Sequence, residues 1–130
     1  MRILIADDSA IVRERLTNLL SEVQGVQVIG HARDGAEARG LARKLKPDVA
    51  ILDLRMPMIS GADLLREMKS LTPAPTVIVL TNYAHPENRK RCIDGGADYF
   101  FDKSTEFRKV LLVLSGMLRG AADAPGQPNS

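Results

Sequence analysis

The stretch MRILIADDSA, residues 1–10, passes from four apolar residues into two adjacent carboxylates and then a small hydroxyl residue. A continuous apolar run of this kind suits a strand buried on both faces of a sheet. It ends, however, in Asp7 and Asp8, which repel each other and lose hydration if withdrawn from water. Either the pair is a solvated turn, or something positive sits beside it. The rest of the chain decides between the two.

Short β-rich runs alternate with longer helical patterns. RILIA (2–6) precedes SAIVRERLTNLLSEV, where Ile11, Val12, Arg15, Leu16, Leu19, Leu20 and Val23 trace a helical stripe. VQVIGHA (26–32) leads to DGAEARGLARKLK, with Asp34 and Glu37 in capping-box spacing. DVAIL (48–52) precedes a loop containing Pro57 and then GADLLREMKSL, for which Ser60 is a suitable N-cap. TVIVL (76–80) precedes HPENRKRCIDGG, with Pro86 at the first helical position and Gly95 and Gly96 at the end. ADYFF (97–101) precedes STEFRKVLLVLSGML, a fifth helix that Ser104 would cap. Five strand-then-helix units with short connections predict an α/β fold: a doubly wound, five-stranded parallel sheet with helices on both faces. The expected domain is residues 1–119, followed by a flexible polar tail over 120–130.

Composition narrows the function classes. With 130 residues the chain can bury roughly two-thirds of its unfolded surface in one core. A net charge of +2, with signs mixed along the chain, makes no case for nucleic acid or a membrane surface. No apolar run approaches the ~20 residues of a membrane span, and the N-terminus does not resemble a secretory signal. Cys92 is the single cysteine, which excludes an internal disulfide and fits a reducing compartment, so a cytoplasmic location is expected.

Open parallel sheets form their sites beyond the carboxyl ends of the strands. Asp7 and Asp8 end the first strand, Asp53 the third and Thr81 the fourth, and Lys103 comes after the fifth. Each taken singly is a helix cap, a turn hydroxyl or a solvated charge. Together they converge on one rim. Three carboxylates there are unfavourable without a cation, and hard oxygen ligands suit Mg²⁺, which takes one or two carboxylates with water and phosphate oxygens. Lys103 and Thr81 would donate to a phosphoryl group, and Asp53 could accept one as an acyl phosphate.

The segments ILIADDSAIVR, VAILDLRMPMISG, VIVLTNY and GADYFFDKS resemble, in order and spacing, the receiver domain of two-component response regulators, over residues 1 to about 118. The resemblance implies a flavodoxin-like (βα)5 fold with strand order 2-1-3-4-5. It implies that Asp53 is the phosphoacceptor, served by a sensor histidine kinase or a histidine phosphotransfer protein. Asp8, Asp53 and the backbone carbonyl of Arg55 would hold Mg²⁺, with Asp7 in the acidic pocket acting through water. Thr81 and Phe100 would be the switch residues and Lys103 the fixed counter-charge. The domain would assist its own phosphorylation and dephosphorylation without being an enzyme in the ordinary sense. Its output would be a protein contact through the fourth helix, fifth strand and fifth helix, as a monomer or a phosphorylation-dependent dimer.

Some residues depart from the family pattern. Ser104 stands where many members have a proline after a cis bond; a cis bond here would cost ~3 kcal/mol, so the loop is either trans or strained. Asn82 is bulkier than the usual neighbour of the switch hydroxyl, and Phe100 lacks a hydroxyl, so its switching would rest on packing. Arg55 and Tyr83 flank the site and are large enough to shield a phosphoryl group from water. Arg89, Lys90 and Arg91 read as a solvated face of the fourth helix, with a partner contact open. Alternatives are a phosphate sink or relay intermediate, and a receiver belonging to a DNA-binding regulator. A flavin binder fits poorly because Asp7 and Asp8 would repel its phosphate. An aspartate-nucleophile phosphatase would want a second Asp where Ser9 stands.

Overall fold

The apolar runs fold as the alternation predicts. In the computed structural model the strands are β1 (Arg2–Ala6), β2 (Gln27–Ala32), β3 (Val49–Leu52), β4 (Thr76–Thr81) and β5 (Tyr99–Asp102). The helices are α1 (Ala10–Leu20), α2 (Gly35–Leu45), α3 (Gly61–Lys69), α4 (Pro86–Asp94) and α5 (Lys109–Ala122). The structure describes residues 1–56 and 58–122; Pro57 and the expected tail beyond residue 122 lie outside the described residues. The strands form one parallel sheet in the order β2-β1-β3-β4-β5. Central β3 is buried at every position, whereas the edge strands β2 and β5 are half-exposed, which is why only the central runs read as continuously apolar.

Two apolar layers cover the sheet. On one face Leu4, Leu52, Val77 and Val79 pack with Leu64, Leu65 and Met68 of α3 and with Ala38 and Ala42 of α2. On the other, Ile3, Ile5, Ile51 and Ile78 pack with Leu16 and Leu20 of α1 and Val110 and Leu114 of α5. Cys92 is buried in the first layer. Among the described residues no helix is long and apolar enough to cross a membrane.

Two expected caps form, Asp34 and Ser60 accepting from the backbone N–H of Glu37 and Asp63, and at α1 it is Ser9 that accepts from Val12 N–H. Pro86 opens α4, and Gly95 closes it, with Gly96 at φ +110°. The fifth helix differs from expectation at both ends. Ser104 does not cap it: its N–H and hydroxyl both donate to Asp102 Oδ1, at 2.8 and 2.7 Å, so the chain turns through 103–108 and α5 starts only at Lys109. At the other end α5 continues through Ala122, into the segment expected to be tail. The Lys103–Ser104 bond is trans, the cis bond among the described residues being Thr72–Pro73.

One close approach fixes the loop behind β3. A Cβ on Gly61 would lie 2.6 Å from Leu54 Cα, and the Gly61 N–H donates to Leu54 O at 3.2 Å. Only glycine lets α3 start so near the residue after Asp53.

Candidate functional site

The polar groups at the carboxyl rim are held by the sheet itself. The ladder continues one residue past each strand: Asp7 N–H donates to Ala32 O, Asp53 N–H to Ala6 O (both 3.0 Å), and Lys103 N–H to Thr81 O (2.8 Å). Each of these side chains therefore projects from backbone that has a neighbouring strand to hold it.

Lys103 is the centre of the arrangement. Its Nζ donates to Asp7 Oδ2 at 2.6 Å and to Asp53 Oδ2 at 2.9 Å, and its side chain is only 10% exposed. Asp7 is 3% and Asp53 6% exposed. The second oxygen of Asp7 accepts from Ser9 N–H at 2.8 Å, and that of Asp53 accepts a longer bond, 3.4 Å, from Arg55 N–H. Asp8 is exposed, and among the described residues nothing engages its carboxylate. Burial pushes the Asp7 carboxyl above its ordinary value, against the opposing pull of the Lys103 and Ser9 hydrogen bonds. Burial pulls the Lys103 ammonium down, but its bonds to Asp7 and Asp53 outweigh that and raise it, so it stays charged. Three carboxylates against one ammonium leave an excess of two negative charges.

That excess is arranged as a cation would require. Asp7, Asp8 and Asp53 each offer an oxygen, and these atoms all lie within 4.8 Å of one another. The donor set is all hard oxygen, which suits Mg²⁺ or Ca²⁺ and not a softer metal. The acids open into a cavity of about 700 Å³, walled also by Val12, Met56, Ser60, Asn82 and Tyr83.

Thr81 and Phe100 sit apart from the cavity. Thr81 is fully buried and does not line it; its hydroxyl accepts from Tyr83 N–H at 3.1 Å. Phe100 is buried beside Val79 of β4, with the Arg89 guanidinium 5.0 Å over its ring. Arg55 and Tyr83 meet each other at the rim, guanidinium over ring at 4.4 Å. In the basic stretch of α4, Lys90 pairs with Asp94 one turn on and Arg89 reaches Glu106 at 3.6 Å, while Arg91 is exposed. Sequence reasoning missed Arg13, whose guanidinium donates to Asp7 O at 2.5 Å. Its position four residues after the Ser9 cap, facing back over the first turn of α1, is the signal that would have found it. It also missed Glu106, whose carboxylate accepts from Asp102 N–H one residue before Lys103.

This geometry has known counterparts. A sequence model of the response regulator receiver domain matches residues 3–115. The chain belongs to the receiver domain family of response regulators. The response regulator GacA of Pseudomonas aeruginosa is 30% identical to this receiver domain over 120 residues, covering 92% of the chain and 56% of GacA. The chain thus spans little more than half the length of that relative. The response regulator domain of Thermotoga maritima CheB superposes with a TM-score of 0.80 at 30% identity, covering 96% of this chain and 98% of that one. A chain of the CheX–CheY–BeF3⁻–Mg²⁺ complex of Borrelia burgdorferi superposes with a TM-score of 0.82 at 27% identity, covering 91% of this chain and 89% of that one.

Proposed function

We propose that Asp53 accepts a phosphoryl group from a phosphohistidine, on a sensor histidine kinase or a histidine phosphotransfer protein, and that the modification switches the α4-β5-α5 face. The observation that carries this reading is the Lys103 ammonium seated between Asp7 and Asp53, with Asp8 exposed beside them at an open cavity. A carboxylate so placed can act as nucleophile: an Asp53 oxygen bonds to phosphorus, the N–P bond breaks, and its electron pair stays on the departing imidazole nitrogen. Transfer of this kind depends on positioning and on neutralising charge at the phosphoryl oxygens. Lys103 supplies one positive charge at the acceptor oxygen without moving far, since its backbone is pinned to Thr81.

Receiver domains bind Mg²⁺ at an acidic pocket, and the donor set of this chain fits that ion. Asp8, Asp53 and the backbone carbonyl of Arg55 would hold it, with Asp7 acting through water. Bound there, the ion would neutralise phosphoryl and carboxylate oxygens. Thr81 would leave the Tyr83 N–H and turn its hydroxyl toward a phosphoryl oxygen. The vacated space lets Phe100 repack beneath α4, changing what the α4-β5-α5 face offers to a partner protein. The chain acts in this scheme as a phosphoacceptor and not as a turnover enzyme.

The test is incubation with Mg²⁺ and acetyl phosphate, read by intact-mass spectrometry. Wild type should gain one phosphoryl group, and Asp53→Ala none. A folded wild type that binds Mg²⁺ yet gains no mass would sink the reading.

A further inference from the structure

The loop that carries Lys103 has neither strand nor helix to hold its outgoing side. β5 ends at Asp102, α5 begins at Lys109, and residues 103–108 belong to neither strand nor helix. The incoming side is pinned by Lys103 N–H on Thr81 O. On the outgoing side, the Glu106 carboxylate does the equivalent work. Glu106 Oε1 accepts from Asp102 N–H at 2.9 Å, while Glu106 N–H donates to Asp102 O at 2.7 Å, a reciprocal pair that closes residues 102–106 into a ring. Inside the ring, Asp102 Oδ1 takes the N–H and hydroxyl of Ser104.

The carboxylate is itself fixed from two directions. Lys109 at the start of α5 donates to Oε2 at 2.8 Å, and Arg89 of α4 stands 3.6 Å from Oε1. A charged acceptor held on two sides is a stiffer anchor than a free one, because its hydrogen bond is charge-assisted and its rotamers are already restricted. The last backbone donor of β5 thus ends on Glu106, one residue before Lys103.

We propose that Glu106 is a positioning residue for Lys103: through the Asp102 N–H it fixes the loop so that Nζ stays seated between Asp7 and Asp53. The proposal rests on Asp53 being the phosphoacceptor and adds a residue that the phosphoryl group never touches. Without the Glu106 oxygen, only the backbone bond from Glu106 N–H to Asp102 O still closes the ring, and the register of the lysine is held less firmly. Displacements of the order of 1 Å in such a site cost up to about a hundredfold in rate.

The test compares wild type, Glu106→Ala and Glu106→Gln for phosphoryl incorporation from acetyl phosphate with Mg²⁺, after circular dichroism has shown each to be folded. Glu106→Ala should be slowed about tenfold, within the range that misplacement allows. Glu106→Gln keeps an oxygen for the Asp102 N–H and should recover most of the wild-type rate. A Glu106→Ala variant as fast as wild type overturns the proposal. So does a Glu106→Gln variant as slow as Glu106→Ala, since charge and not the Asp102 bond would then be at work. Amide hydrogen exchange provides a readout that needs neither phosphorylation nor the variant's activity. The Asp102 amide should be protected in wild type, and fast exchange there overturns the ring. If wild type takes no phosphoryl group while its Asp102 amide is protected, the phosphoacceptor reading fails and the ring itself stands.

Discussion

Replacing Lys103 by Met keeps much of the buried stem and removes the ammonium that Asp7 and Asp53 share at 2.6 and 2.9 Å. Removing one partner of a buried ion pair costs about 3–5 kcal/mol. Part of that loss is relieved where one of the two stranded carboxyls takes a proton. Protonating a carboxyl of ordinary pKa 3.8 at pH 7 costs about 4 kcal/mol at 1.36 kcal/mol per unit. Lys103→Met should therefore lower stability by about 3–5 kcal/mol at pH 7. The sign of the pH dependence is set by the proton. In the variant the folded state holds a proton that the unfolded chain releases, so the folded pKa lies above the unfolded one and stability returns as pH falls. At pH 5.5 protonating one carboxyl costs only about 2 kcal/mol, so the deficit should shrink. Urea unfolding at both pH values measures this. A variant as stable as wild type at pH 7 would mean that the ammonium contributes nothing in the resting site. A deficit that does not shrink at pH 5.5 would mean that Lys103 acts through its stem and not its charge.

Asp8 is exposed, so Asp8→Asn should raise metal-free stability by under about 1 kcal/mol, by relieving repulsion in the acid cluster. The same variant should lose most of the stabilisation that Mg²⁺ gives wild type, ~2.7 kcal/mol at a hundredfold excess over Kd, as urea titrations with and without Mg²⁺ would show. In Gly61→Ala the new methyl meets Leu54 Cα at 2.6 Å, and the chemical-denaturation midpoint should fall by the equivalent of roughly 1–3 kcal/mol. Arg55→Ala and Tyr83→Ala each break the 4.4 Å stack at the rim. A cation–π contact of about 0.5–1 kcal/mol corresponds to loss of phosphate from Asp53 about two- to fivefold faster; unchanged dephosphorylation in both variants would remove the shielding idea.

Most of the fold was legible because its signals are local. Runs such as AILD and IVLT bury every residue, and Ser9, Asp34 and Ser60 cap the helices they precede. The start of α5 was not legible, because Ser104 has two possible uses and the choice depends on Asp102, which the sheet holds within reach. The clustering of Asp7, Asp8, Asp53 and Lys103 could be read from strand-end positions once the sheet was assumed parallel. Which oxygen meets which donor could not. Lys103 spans acids 96 and 50 residues away, and only the crossing of β3 between β1 and β4 brings them to one ammonium. The Arg55–Tyr83 stack and the bond from Tyr83 N–H to Thr81 depend on side-chain torsions that no spacing encodes.

The resting contacts of Thr81 and Phe100 limit what phosphorylation alone can do. The Thr81 hydroxyl is committed to Tyr83 N–H at 3.1 Å, and an exchange of that bond for a phosphoryl oxygen is a difference of two hydrogen bonds. A neutral bond is worth about 1 kcal/mol net and one to a charged group about 1.5–3. The exchange therefore favours the switched state by only about 0.5–2 kcal/mol, roughly two- to thirtyfold in population. Against this, Phe100 must move from a buried seat over which Arg89 lies at 5.0 Å. Carrying a two-state equilibrium from 1:99 to 99:1 takes about 5.5 kcal/mol. The phosphoryl group cannot supply that through Thr81 alone. In the proposed scheme, a partner that binds the α4-β5-α5 face preferentially in its switched form would supply part of the rest, and would then be part of the switch.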